Sequence, residues 1–449
     1  MHIHLGIENL LPWTLYLGMW AAFAISVLFR PAVGLYVLAF ALPMQTGRYK
    51  IHGFFLGSQF VDLLMLGVVI GLLYKGEPLF HSLKANRILL ISAVFLYISL
   101  WQGSFFADAP LPYWISDPRF SNWKNYTEMF FLAALVCSAI RTRRQVAILI
   151  FFMCLSVLVV NRNYYSLLSD RDLSRFSYDV RDPGLLGYAG VNGFAAFEAI
   201  FCSFLLGLLA FKQKLWVRLG LFTLLATGVY CLLFAFSRGG YVGVLCGMVT
   251  VGLMKSKKLL LIVFFIVFSW QTLLPVSVQQ RISMTTGGSS GGELDHSSAE
   301  RITLWRDAIG MFERNPVTGT GFDTYEFMGR VGDYKDTHNY FIKVLAETGV
   351  VGFSIFLLLL KTLFFSGLDL FREAEDPFWS AVAVGFTAAT VCAIVLNFFG
   401  DRWTYQQVDG FLWILLGVVF RGLIVHREKK EVSAVAEEET ASGLTLVPA

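Results

Sequence analysis

The chain has 449 residues, of which 56% are hydrophobic and only 15% charged, with a mean hydropathy of +0.62. A soluble domain carries about 25% charged residues, so this composition excludes a disordered chain and argues against an ordinary cytosolic enzyme. The net charge of +4 gives no reason to expect a nucleic-acid partner, while forty-two Phe and eleven Trp suit lipid-facing helices and their interfacial belts.

A helix needs about 20 apolar residues to cross a hydrocarbon core of roughly 30 Å. Runs near that length recur at 12–29, 31–46, 54–74, 88–105, 127–140, 145–160, 189–211, 216–235, 240–254, 259–275, 340–360, 378–398 and 408–424. The expected fold class is all-α: a polytopic helical membrane protein with about 12–13 transmembrane helices and one long outer loop. Residues 1–425 read as the transmembrane domain, with loop 276–337 inside it, and 426–449 as a polar cytoplasmic tail expected to be disordered. No cleavable signal peptide is read at the N-terminus, because no basic n-region precedes the first apolar run. The six cysteines (Cys137, Cys154, Cys202, Cys231, Cys246 and Cys392) lie in apolar runs without CxxC spacing, and read as packing residues.

Lys and Arg in short connections set the orientation. Every second connection holds a basic cluster: Lys75, Lys84 and Arg87; Arg141, Arg143 and Arg144; Lys212, Lys214 and Arg218; Lys255, Lys257 and Lys258; and, after the last span, Arg421, Arg427, Lys429 and Lys430. These mark the cytoplasmic side. The opposite side then holds loops near 106–126, 161–188 and 276–337. The last contains the flexible run Gly287–Gly292, then a helix signalled by a Ser297/Glu300 capping-box pair and an apolar face of Ile302, Trp305, Ile309 and Phe312. Asn315-Pro316 ends it. An amphipathic helix of this kind is expected to lie over the outer surface of the bundle.

Three polar clusters fall on that outer side. In Phe236-Ser237-Arg238-Gly239-Gly240 two apolar runs meet with almost no loop, so Arg238 is held at the outer ends of two spans. It reads either as a snorkelling interfacial arginine or as an anion clamp, since a guanidinium fork matches phosphate oxygens. Arg301 sits in the first turn of the amphipathic helix, where its charge opposes the helix dipole; an ion pair with Glu300 and a second phosphate contact are both open. The third cluster, Asp336-Thr337-His338-Asn339-Tyr340, opens the span near 340. Thr337 or Asp336 is expected to cap that helix, which would put His338 in its first turn, uncharged beside the positive helix end. An uncharged imidazole can serve as a general base; a hydrogen-bonded interfacial histidine is the plainer reading. Glu293, Asp295, His296 and Glu300 have metal-ligand chemistry but no paired-His spacing, and read as a solvated loop. Asp182, Asn192 and Glu198, and Asp401 with Arg402, either line a cavity or form structural pairs.

The run Phe236-Ser237-Arg238-Gly239-Gly240 resembles the SRG motif of the O-antigen ligase and polymerase superfamily. Arg301-Ile302-Thr303-Leu304-Trp305 and Asn315-Pro316-Val317-Thr318-Gly319-Thr320-Gly321 resemble its R-x-x-x-W and N-P-x-x-G-x-G stretch. Thr337-His338-Asn339-Tyr340 and Glu347-Thr348-Gly349 resemble its H-N segment and following E-x-G. The resemblance runs over roughly residues 190–365, in family order. It implies an inner-membrane glycosyltransferase of the GT-C type, acting at the periplasmic face without metal or other cofactor. The donor would be a glycan on undecaprenyl diphosphate and the acceptor a hydroxyl, of lipid A-core or similar. His338 would be the base, and Arg238 and Arg301 would bind the diphosphate. A repeat polymerase, a protein O-oligosaccharyltransferase and, from other classes, an anion transporter or an assembly subunit remain the alternatives.

Overall fold

The computed structural model describes residues 10–81, 83–284, 296–329 and 336–441. Every regular element among them is helical. In chain order these are α1 (Leu11–Leu28), α2 (Ala32–Ala41), α3 (Gln45–Tyr49), α4 (Phe60–Tyr74), α5 (Lys84–Phe106), α6 (Pro118–Ala139), α7 (Arg143–Leu168), α8 (Gly190–Leu209) and α9 (Leu215–Phe234). There follow α10 (Arg238–Met254), α11 (Lys257–Leu273), α12 (Val276–Ser283), α13 (His296–Arg314), α14 (Thr324–Phe327), α15 (Tyr340–Glu373), α16 (Pro377–Leu396) and α17 (Gln406–Ala441). The chain is an all-α polytopic membrane protein.

Each apolar run read from the sequence lies on one of these helices. Nine described helices are long and apolar enough to cross a bilayer, or ten if α11 and α12, bent 107° apart, count as one broken span. That is fewer than the 12–13 expected, for visible reasons. Helix α2 has only 10 residues, which rise about 15 Å, half a hydrocarbon core. Helix α10 stops at 17 residues. Helix α6 has 22, but its first half carries Asn122, Lys124, Asn125 and Glu128. At the other end of the chain, α17 continues to Ala441, well past residue 425, where the tail was expected to begin.

Helices α8, α16 and α17 occupy the middle, with α10, α15 and α6 packed around them. The buried positions of α16 are rich in Ala, Gly and Thr, including Ala381, Ala383, Gly385, Thr387 and Ala389. Small residues let helix backbones approach closely where lipid gives no hydrophobic drive between helices. The basic connections gather at one end of this bundle. Arg141 pairs with Glu77, Arg143 with Asp376 at 2.6 Å, Arg427 with Glu373 at 3.4 Å and Lys429 with Glu375 at 2.9 Å. The three motif segments lie at the opposite end, beside the start of α10, the start of α15 and the link from α16 to α17.

Helix α13 buries a different face from the one read in the sequence. Leu304, Ala308 and Met311 are 0–2% exposed and pack with Tyr325 and Ala346, whereas Ile309 is 42% exposed. The helix docks against α14 and the first turns of α15, so the buried stripe follows that partner surface rather than the strongest apolar period. Glu293, Asp295 and the run Gly287–Gly292 lie outside the described residues, as does the side chain of Ser297 in the expected capping box.

Candidate active site

Helix α9 ends at Phe234 and α10 begins at Arg238, leaving three residues to turn the chain. Phe236 makes the turn with φ of 51°, in the left-handed region that a bulky residue rarely enters. Its ring is fully buried against Phe176 and Phe234, and that packing holds the strained backbone. Two arginines satisfy the carbonyls at the end of α9: Arg181 Nε donates to Ala235 O at 3.4 Å and Arg281 Nε to Phe236 O at 3.2 Å. The Ser237 hydroxyl donates to Asn192 Oδ1 at 3.0 Å, and Arg181 Nη2 donates to the same oxygen at 2.8 Å. Arg238 is thus delivered, half-buried, as the first residue of α10 by a braced turn.

The second motif ties α13 to the third. The indole Nε1 of Trp305 donates to Thr337 O at 3.0 Å. Arg301 stands one turn before Trp305 on the same face, and the carboxylate of Asp336 raises its pKa in opposition to the neighbouring arginines. Asn339, not Thr337 or Asp336, caps α15: its Oδ1 accepts from the amides of Phe341 and Ile342 at 3.1 and 3.3 Å. His338 therefore precedes the helix, outside its first turn, with φ of 54°. A carboxylate faces its ring: Asp336 Oδ2 lies 3.5 Å from His338 Nδ1. Asp336 also accepts from the Asp401 amide at 3.0 Å. Burial alone would raise the Asp336 carboxyl, but the bond to His338 and the charge of Lys343 outweigh it and hold the group well below the usual carboxylate range.

The N-P-x-x-G-x-G and E-x-G segments latch onto each other. Val350 N donates to Pro316 O at 2.9 Å and Val351 N to Val317 O at 3.1 Å; in return Gly321 N donates to Glu347 O at 2.7 Å. The buried Glu347 carboxylate accepts from the amides of Asp323 and Tyr325 at 3.1 and 3.0 Å. Helix α15 breaks at Gly349, with φ of 60°. A Cβ there would lie 2.3 Å from Val317 O, so only glycine allows the two backbones to meet.

Around these segments the electrostatics are dominated by arginine. Burial lowers the pKa of Arg301, and the positive charges of Arg238, Arg402 and Arg281 lower it further. Arg281 lies against the rings of Phe176 and Tyr178, 4.9 and 5.3 Å from their centroids. Arg402, almost buried, donates through Nη1 to Asp401 O at 2.9 Å. Guanidinium groups are chemically suited to multivalent anions, whose oxygens match their N–H forks.

A polar cavity of about 470 Å³ opens beside Asp336, walled by α3, α4, α6 and the link from α16 to α17. Asp323, Asp336, Lys343 and Asp401 line it; Arg238, Arg301 and His338 do not. Burial pushes the Asp323 carboxyl up to about 6 against the opposing pull of Lys343.

The structure brings Arg238 and Arg301 into one electrostatic neighbourhood and places the Asp336–His338 pair beside Arg301. Sequence reading missed Arg181 and Arg281, whose local sequence carries no motif, and treated Asp336 only as a helix cap. The pairing of Asp336 with His338 had a signal in the two-residue spacing. Among described residues no group of three or more His, Cys, Asp or Glu side chains is arranged to hold a metal.

No curated protein matches the chain. Residues 221–357, under a third of the chain, match the family model described as O-Antigen ligase. That segment runs from α9 through the latch at Gly349 and contains Arg238, Arg301 and His338. This match supports the O-antigen ligase superfamily and, at that level, a ligase- or polymerase-type membrane glycosyltransferase.

Proposed function

We propose that the protein is an O-antigen ligase-like transferase of the bacterial inner membrane. It moves a glycan from undecaprenyl diphosphate to an acceptor hydroxyl, of lipid A-core or a similar glycolipid, at the periplasmic face. The observation that carries the reading is the electrostatic coupling of Arg301 to Arg238, Arg281 and Arg402 and to Asp336, which pairs with His338; all but Arg402 lie inside the matched domain. The periplasmic assignment rests on the position of this cluster, opposite the basic connections.

In this reading the acceptor O–H gives its proton to His338 Nε2 as its oxygen bonds to the anomeric carbon. The anomeric C–O bond breaks, and its electron pair stays on the departing diphosphate. Asp336 holds Nδ1 and stabilises the imidazolium that forms. Arg238 and Arg301 bind the diphosphate oxygens and act most strongly as charge develops there, in a partly dry site. Arg281 positions Arg238 through its bond to the Phe236 carbonyl.

The test is transfer by the purified full chain in lipid, with undecaprenyl-diphosphate-linked glycan as donor and lipid A-core as acceptor. His338→Ala should lower the rate by about 10²–10⁴-fold while membrane insertion stays normal. Full activity in that variant would remove the catalytic assignment.

A further inference from the structure

The cavity beside Asp336 has a chemistry opposite to that of the arginine cluster. We propose that this cavity of about 470 Å³ seats the acceptor's sugar ring, an uncharged polyhydroxylated group, and presents its hydroxyl to His338. This rests on the transferase reading above.

Four observations carry it. The volume lies within the roughly 300–1,000 Å³ of small-ligand sites. Its wall carries more carboxylates than cations, and each lysine is already held between two acids: Lys124 by Asp62 and Glu128, Lys343 by Asp323 and Asp401. Neither lysine has spare charge for a phosphate, so the diphosphate belongs with the arginines and a neutral ligand belongs here. The wall also carries the side-chain amides of Gln45, Asn122, Asn125 and Gln407. Each amide both donates and accepts, which is what sugar hydroxyls satisfy. Finally, the rim is aromatic. Tyr49 stacks on His52 at 4.2 Å and lies 5.7 Å from Tyr188, with Tyr49 46% and Tyr188 72% exposed. Exposed rings at the mouth of a polar cavity offer flat faces to the C–H faces of a sugar.

Asp336 sets the direction of transfer. It lines the cavity and also faces His338 Nδ1. A ring bound there would stand beside a carboxylate that also faces the His338 ring, with its reactive hydroxyl reaching round to Nε2. The donor's sugar, tied to the diphosphate, would approach from the arginine side.

The experiment uses the full-length protein in nanodiscs with Tyr49→Ala, Tyr188→Ala and Asp62→Asn. All three positions are partly exposed, so at least one variant should insert normally. Apparent KM is measured separately for glycolipid acceptor and lipid-linked donor. The expected result is an acceptor KM raised at least tenfold, with donor KM within twofold. A rise in donor KM alone would assign the cavity to the donor's glycan and overturn the proposal; so would no change in either. A binding arm separates this from failure of the transferase reading. Lipid-free, dephosphorylated oligosaccharide from the glycolipid and inorganic diphosphate are each titrated by tryptophan fluorescence. Tyr49→Ala should weaken the oligosaccharide at least tenfold and leave diphosphate unchanged, whether or not transfer to that acceptor is seen. No oligosaccharide binding by the unmodified protein would overturn the proposal.

Discussion

Both ends of the bundle are rich in cations, yet they treat them in opposite ways. At the end with the basic connections, Arg141, Arg143, Arg427 and Lys429 each meet a carboxylate across two elements, mostly in exposed positions. Solvent screens such exposed pairs, and they contribute little to stability. At the other end, Arg181 and Arg281 bond backbone carbonyls of the turn before α10, and Arg402 bonds the Asp401 carbonyl. A carbonyl takes a guanidinium's N–H bonds without neutralising its charge. The same residue type thus staples loops to one another at one end and braces backbone turns at the other.

Substitutions that strike the two ends alike would break this comparison most sharply. Arg238→Ala or Arg301→Ala should lower kcat/KM by about 10²–10³-fold, or about 3–4 kcal/mol of transition-state stabilisation, and weaken donor binding. Arg143→Ala should leave transfer within twofold. Equal losses at both ends, measured by initial rates, would mean that arginine matters here only for folding.

The latch gives the next largest effect, this time on folding. Gly349→Ala must keep a left-handed φ and bring Cβ to 2.3 Å from Val317 O. A loss of about 2–4 kcal/mol is expected from strain and the broken backbone pairing, read as a lowered thermal midpoint in detergent. A midpoint unchanged from that of the unmodified protein would show that the motif glycine is not required by close approach.

Asp336→Asn sharpens the chemistry of the site end. Transfer should fall about tenfold, or about 1.4 kcal/mol, as the ring loses its orienting carboxylate. The same variant tests the linkage. A carboxyl held below its unfolded value contributes stability that is fully present above pH of about 4 and is lost as pH falls through the folded value. The unmodified protein should therefore lose part of its stability on acidification below about pH 4, and Asp336→Asn should show less of that loss. Identical acid limbs in the two proteins would reject the assignment.

Trp305→Phe is the gentlest change. It removes one hydrogen bond to Thr337 O, worth about 1 kcal/mol, while the ring still fills its place. Activity should fall about threefold to fivefold, with donor KM and acceptor KM little changed.

Much of this was legible in the sequence, and the rest fails for physical reasons. Apolar length located the nine long spanning helices, because the bilayer imposes that length directly. The clusters around Arg238, Arg301 and His338 were legible as polar groups stranded at span ends. Arg281 was not, because its role depends on meeting the Phe236 carbonyl 45 positions away along the chain. The buried face of α13 was misread because Tyr325 and Ala346, not the helix's own periodicity, choose which stripe is covered. His338 was placed in the helix because Thr337 and Asp336 are good caps; Asn339, equally good and nearer Tyr340, takes that position. The cavity near Asp336 was invisible, since its walls come from six separated stretches of chain.

The break in α15 has a mechanical consequence. Spanning helices re-tilt when bilayer thickness changes. Both sides of the break are fastened to residues 316–321, Ala346 and Glu347 through their carbonyls and Val350 and Val351 through their amides. A thicker or thinner membrane then re-tilts the shaft only beyond Val351 while the imidazole keeps its station, so turnover should vary little across lipids of different chain length.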